Sequence, residues 1–131
     1  MRMAAGPVFF HADYEKALEV SKLQSLTTHQ GEEAAECCRL MAHIIVTAIH
    51  KGKGDKSILE NIEFTSPLKS VTCLAKSQQE DETPGKNWSL EDRNWNWKDP
   101  NFKYSPSRAT QQPGYVGSYC MDALAMALHC I

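Results

Sequence analysis

Apolar residues recur at three- and four-residue steps in several stretches of the chain, with polar residues filling the positions between them. The first stretch predicts a helix over 14–27, capped by Asp13, with Tyr14, Ala17, Leu18 and Leu23 or Leu26 facing inward. It ends near Thr27-Thr28-His29-Gln30-Gly31, where a β-branched pair and a glycine disfavour continuation. The strongest pattern runs from Glu32 to Lys51. It carries acids in its first turn (Glu32, Glu33), a broad apolar face including Ala34, Cys38, Met41, Ile45 and Ile49, and Lys51 just before Gly52. That face is wide enough to be buried on more than one side. A shorter helix is expected around 55–64. Ser66 then reads as a cap and Pro67 as the first helical position of a helix over 67–78, with Leu68, Val71, Leu74 and Ala75 buried.

The last predicted helix covers 118–131. Pro113 and Gly114 break whatever precedes it, Ser118 can cap it, and Cys120, Leu124, Ala127, Leu128 and Ile131 form its stripe. No stop signal follows Ile131, and the opening Met-Arg-Met-Ala-Ala-Gly-Pro-Val-Phe-Phe enters an apolar segment with no lead-in. The chain is therefore expected to be a piece of a larger protein. Residues 76–113 lose the helical period and form an irregular insert. Its first part is acidic and broken by Pro84-Gly85; its second interleaves Trp88, Trp95, Trp97, Phe102 and Tyr104 with polar residues. Either these aromatics pin the insert onto the helical body, or some of them stack on a ligand base or a partner. The fold class is all-α, with a long aromatic-rich loop.

Composition narrows the function classes. With 14 Lys plus Arg against 16 Asp plus Glu, the net charge of -2 provides no footprint for nucleic acid. The longest apolar run, Ile44–Ile49, is far short of the roughly 18–20 residues needed to span a bilayer, so no membrane association is expected. Cysteines at 37, 38, 73, 120 and 130 are odd in number, and most lie among helical apolar residues. They read as reduced thiols in a cytoplasmic chain rather than a disulfide framework. Zinc spacing is absent: His43 and His50 share a helical stripe without nearby ligand partners.

Three short motifs, in order, resemble the ADP-ribosylglycohydrolase family of all-helical, dinuclear-magnesium enzymes that remove ADP-ribose from modified proteins. Met1-Arg2, ahead of an apolar helix, matches the last two positions of a Gly-Asn-Gly-rich loop in that family. Thr28-His29, ahead of a helix with early acids, matches its Thr-His. Gly114-Tyr115-Val116 matches the stretch that enters its last helix here. The resemblance covers nearly the whole chain apart from the acidic linker at 76–87.

The resemblance implies a helical bundle with a substrate cleft at one end, and residues 1–131 as part of that domain. It places ADP-ribose, or an ADP-ribosylated protein, as the partner. It makes His29, Gly114, Tyr115, Val116 and Ser118 substrate contacts, the glycine-rich loop cradling the adenosine side of the ligand through backbone amides. From the residues alone His29, between two helices, reads more readily as a capping or surface residue than as a ligand contact, and Arg2 pairs with either a phosphate or a carboxylate. The family's magnesium ligands come from a Thr-Asp-Asp loop and a Gly-Gly-Asp-x-Asp-Thr loop, and neither occurs in these 131 residues. Glu32 and Glu33 are explained by the helix dipole, as is Asp122; Glu80-Asp81-Glu82 and Glu91-Asp92 sit in polar loop. No catalytic or metal-ligating residue is assigned within the chain, and Mg2+ is not expected to bind well to it alone. Two functions follow: a segment of an ADP-ribosyl hydrolase, inactive as this isolated chain, or a non-catalytic ADP-ribose-binding or interaction module that associates through unmatched helical faces.

Overall fold

The computed structural model describes residues 3–52, 54–80, 94–102 and 119–131. The chain divides into two compact units, Met1–Ser66 and Pro67–Ile131. Among the described residues all regular structure is helical, and one isolated antiparallel bridge joins Gln79 to Asn94. The all-α class read from the periodicity holds. No helix among the described residues is long and apolar enough to cross a membrane.

The first unit contains α1 (Ala5–Phe9), α2 (Tyr14–Leu26), α3 (Glu32–Lys51) and a single 3₁₀ turn at Lys56–Leu59. Asp13 caps α2 as its sequence position suggested: its backbone is extended and its carboxylate accepts the Lys16 amide at 3.1 Å. α3 has the boundaries read from its pattern, and it closes at Gly52, whose φ of 89° and ψ of 174° fall where only glycine sits without strain. α1 packs on both α2 and α3. Its approach to α2 is close, since a Cβ at Gly6 would lie 3.3 Å from Val20 Cγ1.

Several inward faces differ from expectation. Ala17 and Leu18 are buried, but Leu23 and Leu26 are 53% and 37% exposed, and the next inward position is Ser21. Ser21 tolerates burial because its hydroxyl donates to the Ala17 carbonyl at 2.7 Å. On α3 the anticipated stripe is the outer one: Ala34, Cys38, Met41 and Ile45 are half-buried and Ile49 is exposed. The buried positions lie on two other lines, Ala35, Ala42 and Val46, and Glu36, Leu40 and Ile44 with Cys37 beside them. The physical reason is that α2 and residues 62–66 meet α3 on its Glu36–Arg39–His43 side, which turns the buried arc. The helix expected over 55–64 is only the 3₁₀ turn followed by a strap without regular structure. Ile62 and Phe64 are buried while Asn61, Glu63 and Thr65 are exposed, an alternation in a segment tightened by the Phe64 amide, which donates to the Ile62 carbonyl at 2.9 Å.

The second unit is built from α4 (Lys69–Lys76), α5 (Cys120–His129) and the tryptophan segment at 94–102. α4 starts two residues later than expected, with Leu68 as its extended N-cap. Ser66 stands two residues before that cap, and its hydroxyl donates to Glu36 Oε2 at 2.9 Å. Val71, Leu74 and Ala75 are buried as read, and Leu68 is half-buried. In α5, Leu124 and Leu128 face inward, but Ala127 is exposed and Ile131 is 66% exposed; Met121, Asp122 and Ala125 complete the buried side. Asp122 at 1% exposure is thus an interior residue and not only a surface complement to the helix dipole.

The tryptophan segment is part of this unit's interior. Trp95, Trp97 and Phe102 are 1%, 4% and 8% exposed. Trp97 Nε1 donates to the Leu74 carbonyl at 2.7 Å, and the Trp97 carbonyl accepts from His129 Nδ1 at 2.7 Å, so one residue ties α4 to α5. Ser77, at the end of α4, takes the left-handed conformation with φ 56°. The Ser77 Oγ accepts the Lys98 amide at 2.8 Å and donates to Asn96 Oδ1 at 3.0 Å, which offsets the strain of that conformation. Asn94 and Asp99 hold the rest of the irregular backbone by accepting amides two residues on, at 3.0 and 2.8 Å. For these three aromatics the packing reading applies. Trp88 and Tyr104 lie outside the described residues.

Candidate functional site

His29 lies in the five-residue connection between α2 and α3. Its amide donates to the Ser25 carbonyl at 2.8 Å, extending the last turn of α2. Its Nδ1 lies 3.1 Å from the Thr28 hydroxyl, and both side chains are exposed. The hydroxyls of Thr27 and Thr28 bond back to Gln24 and Ser25 carbonyls, which fixes the loop while leaving the imidazole open. The other anticipated contacts, Gly114, Tyr115, Val116 and Ser118, lie outside the described residues, as does Arg2. The connection therefore presents one accessible histidine beside the start of α3, where Glu32 is exposed and Glu33 half-buried.

A second polar constellation, not anticipated from the sequence, occupies the junction of α2, α3 and the strap. Glu36 is 1% exposed, and its two oxygens take three donors: Lys22 Nζ on Oε1, and Arg39 Nη1 and Ser66 Oγ on Oε2, each at 2.9 Å. Burial pushes this carboxyl up, but the hydrogen bonds from Lys22 and Ser66, with the charges of Arg39 and Lys22, outweigh it and hold it below 4.5. Arg39 also lies over the Phe64 ring, 5.7 Å from its centroid. Next along α3, His43 Nδ1 and the Tyr14 hydroxyl share a hydrogen bond of 2.8 Å, and the imidazole lies 5.6 Å from the Phe64 ring.

The chemistry of the Tyr14–His43 pair is quiet. Burial raises the Tyr14 phenol, with Glu15 adding to the rise and Arg39 opposing it. Burial lowers His43, with Glu63 opposing. A weakly acidic phenol beside a weakly basic imidazole keeps its proton, so the pair is a neutral tie between helices rather than an activated nucleophile. A pH prediction follows. Because folding depresses His43 below its usual 6.5, the unfolded chain binds that proton first, and stability should fall as pH drops from 6.5 through the lower folded value. Above 6.5 the group contributes no slope. Denaturant midpoints measured from pH 7.5 to 5.5 should decline in the wild type and decline less in His43→Gln; equal slopes would contradict the assignment.

Against this geometry, the sequence itself decides the family: the ADP-ribosylglycohydrolase family model matches residues 1–131. The chain belongs to the ADP-ribosylglycohydrolase family. No curated protein and no solved structure matches it significantly.

The magnesium pair implied by the ADP-ribosylglycohydrolase family can be compared with the donors present. Magnesium needs several oxygen ligands converging in near-octahedral geometry. Among the described residues no three His, Cys, Asp or Glu side chains converge on a point that could hold a metal. Glu36 is taken by two cations and a hydroxyl, and Glu80 accepts Trp95 Nε1 at 3.4 Å. The described residues do not fit a two-magnesium centre. None of the five cysteines is joined in a disulfide, with Cys37 and Cys73 buried and Cys130 exposed.

Glu36 left a partial signal in the sequence, since Arg39 stands three residues on, within reach on the same helix face. Its other partners, 14 and 30 residues away in sequence, had none.

Proposed function

We propose that this chain serves an ADP-ribosyl hydrolase, an enzyme that cleaves the glycosidic bond between ADP-ribose and a protein side chain or related acceptor. In this reading residues 1–131 supply the middle helices and one wall of the substrate cleft. The observation that carries it is the family match over the whole chain together with the three motifs found in family order. His29 and the Gly114–Ser118 stretch are the ligand contacts. The imidazole offers a hydrogen bond to a ribose hydroxyl or phosphate, and the glycine lets backbone amides approach the ligand closely. In the family's complete fold a magnesium pair grips ribose hydroxyls and polarises water. The Thr-Asp-Asp and Gly-Gly-Asp-x-Asp-Thr segments that hold it do not occur in this sequence. These residues by themselves bind ligand and orient it, and do not turn it over. Five cysteines not joined in disulfides suit a reducing compartment such as the cytoplasm.

The test uses this chain with ADP-ribosylarginine, with and without magnesium. No release of ADP-ribose is expected in either condition. Calorimetry should detect weak, magnesium-independent ADP-ribose binding that is lost in Tyr115→Ala and reduced in His29→Ala. Magnesium-dependent turnover would overturn the reading and make Glu32, Glu33, Asp92 and Asp122 the first residues to replace. Absence of any ADP-ribose binding, with concentration-dependent self-association in light scattering, would favour an interaction module instead. That second reading draws on exposed apolar side chains, Phe9 at 79% and Leu23 at 53%.

A further inference from the structure

Three of the chain's six prolines follow Ser or Thr, and all three of those sites carry a base two residues after the proline: Ser66-Pro67-Leu68-Lys69, Thr83-Pro84-Gly85-Lys86 and Ser105-Pro106-Ser107-Arg108. With 14 Lys plus Arg in 131 residues, a base stands at any one position about one time in ten by chance, so three in three is not a composition effect. The last two lie outside the described residues. Ser66 does not, and its surroundings give the pattern a physical consequence.

We propose that Ser66 is a phosphorylation site for a protein kinase that reads Ser-Pro-x-Lys, and that the phosphate dismantles the Glu36 hub and releases the strap at 62–66. The segment is presented as a kinase requires. Thr65, Pro67 and Lys69 are exposed, Ser66 and Leu68 are half-buried, and the backbone runs without regular structure from Ile62 until α4 begins at Lys69. Leu68 is extended, with φ -94° and ψ 121°. Proline after the serine brings no amide hydrogen that a kinase pocket must satisfy, and the lysine supplies a charge for an acidic or phosphorylated enzyme surface. In the transfer, Ser66 Oγ attacks the γ-phosphorus of ATP. The Oγ–P bond forms, the bond from that phosphorus to the β,γ-bridging oxygen breaks, ADP leaves, and the hydroxyl proton passes to the kinase's catalytic carboxylate.

The consequence is electrostatic. In the unmodified chain Ser66 Oγ donates to Glu36 Oε2 at 2.9 Å. A phosphoserine has no such donor and carries about -1.5 to -2 charges at pH 7, set against a carboxylate that is itself 1% exposed. Lys22 and Arg39 cannot neutralise both groups, and the phosphate is the more easily hydrated of the two. The strap therefore moves outward, taking Phe64 from its place beside His43 and Arg39.

The intact chain incubated with ATP, magnesium and a Ser-Pro-x-Lys-directed kinase should gain phosphate at Ser66, read by peptide mass spectrometry. Lys69→Ala should slow modification at Ser66 at least tenfold without altering that at Thr83 and Ser105, and since Lys69 is exposed the variant leaves folding intact. Amide exchange over 61–66 should rise at least tenfold on modification, and by less in unmodified Ser66→Ala, which loses the donor without adding charge. Modification of Thr83 and Ser105 with none at Ser66 would overturn the site. Unchanged exchange after modification, or exchange in Ser66→Ala equal to that of the phosphorylated chain, would overturn the electrostatic release.

Discussion

Replacing Trp97 with alanine should cost the second unit about 3–5 kcal/mol, the range for deleting a fully buried tryptophan. The expectation rests on more than volume. The side chain is 4% exposed and its indole nitrogen donates to the Leu74 carbonyl at 2.7 Å, so truncation leaves a cavity and removes one of that carbonyl's two donors, the Ser77 amide at 3.1 Å being the other. The loss is large against the stability of a unit spanning residues 67–131, so the variant should lose near-ultraviolet circular dichroism and shift its remaining tryptophan emission to the red at room temperature. Trp97→Phe separates the two contributions, since it keeps most of the volume and removes the donor. It should cost about 0.5–1.5 kcal/mol, the net worth of one hydrogen bond, because the Leu74 carbonyl keeps the Ser77 amide at 3.1 Å. A Trp97→Ala variant as stable as the wild type would mean that the aromatic insert lies on the unit without holding it.

That insert shows where the sequence was readable and where it was not. Its aromatics signalled an ordered excursion, and three of them are interior, but nothing local identified Leu74 and His129 as the polar partners of Trp97. Signals confined to one turn translated well. Asp13 caps α2, and the acids, the lysine and the glycine that bracket α3 stand at its ends. Signals with a distant competitor did not. Ser66-Pro67 has the form of a helix start, yet the serine's hydroxyl is drawn to a carboxylate 30 residues back and the helix begins at Lys69. The strap at 61–65 did carry its own signature, apolar residues at alternate positions, which a search for helical spacing passes over. Of the candidate ligand contacts, His29 sits open in the connection before α3, as its position between two helices suggested.

The Glu36 hub offers the second large effect. Glu36→Ala should cost about 3 kcal/mol, the low end of the range for removing one partner of a buried ion pair. The low end is chosen because the cations left behind can rehydrate: Lys22 is 41% and Arg39 25% exposed at the side chain. Glu36→Met tests what the charge contributes. A methionine refills the volume that alanine leaves, and replacement of buried ion pairs by apolar groups is often near neutral, so it should recover part of the loss while still forfeiting the Ser66 hydrogen bond. The pH profile gives an independent sign. Because folding holds Glu36 below 4.5, its contribution is fully present above 4.5 and is lost as pH falls through the folded value. Wild-type stability should therefore decline in that acid window, below the one in which His43 acts, and Glu36→Met should lack the lower decline while keeping the upper. If the methionine variant shows both declines unchanged, another carboxylate governs the acid limb. If alanine and methionine are each as stable as glutamate, the three-donor arrangement contributes nothing to the fold, and release of the strap from Glu36 would have no energetic consequence.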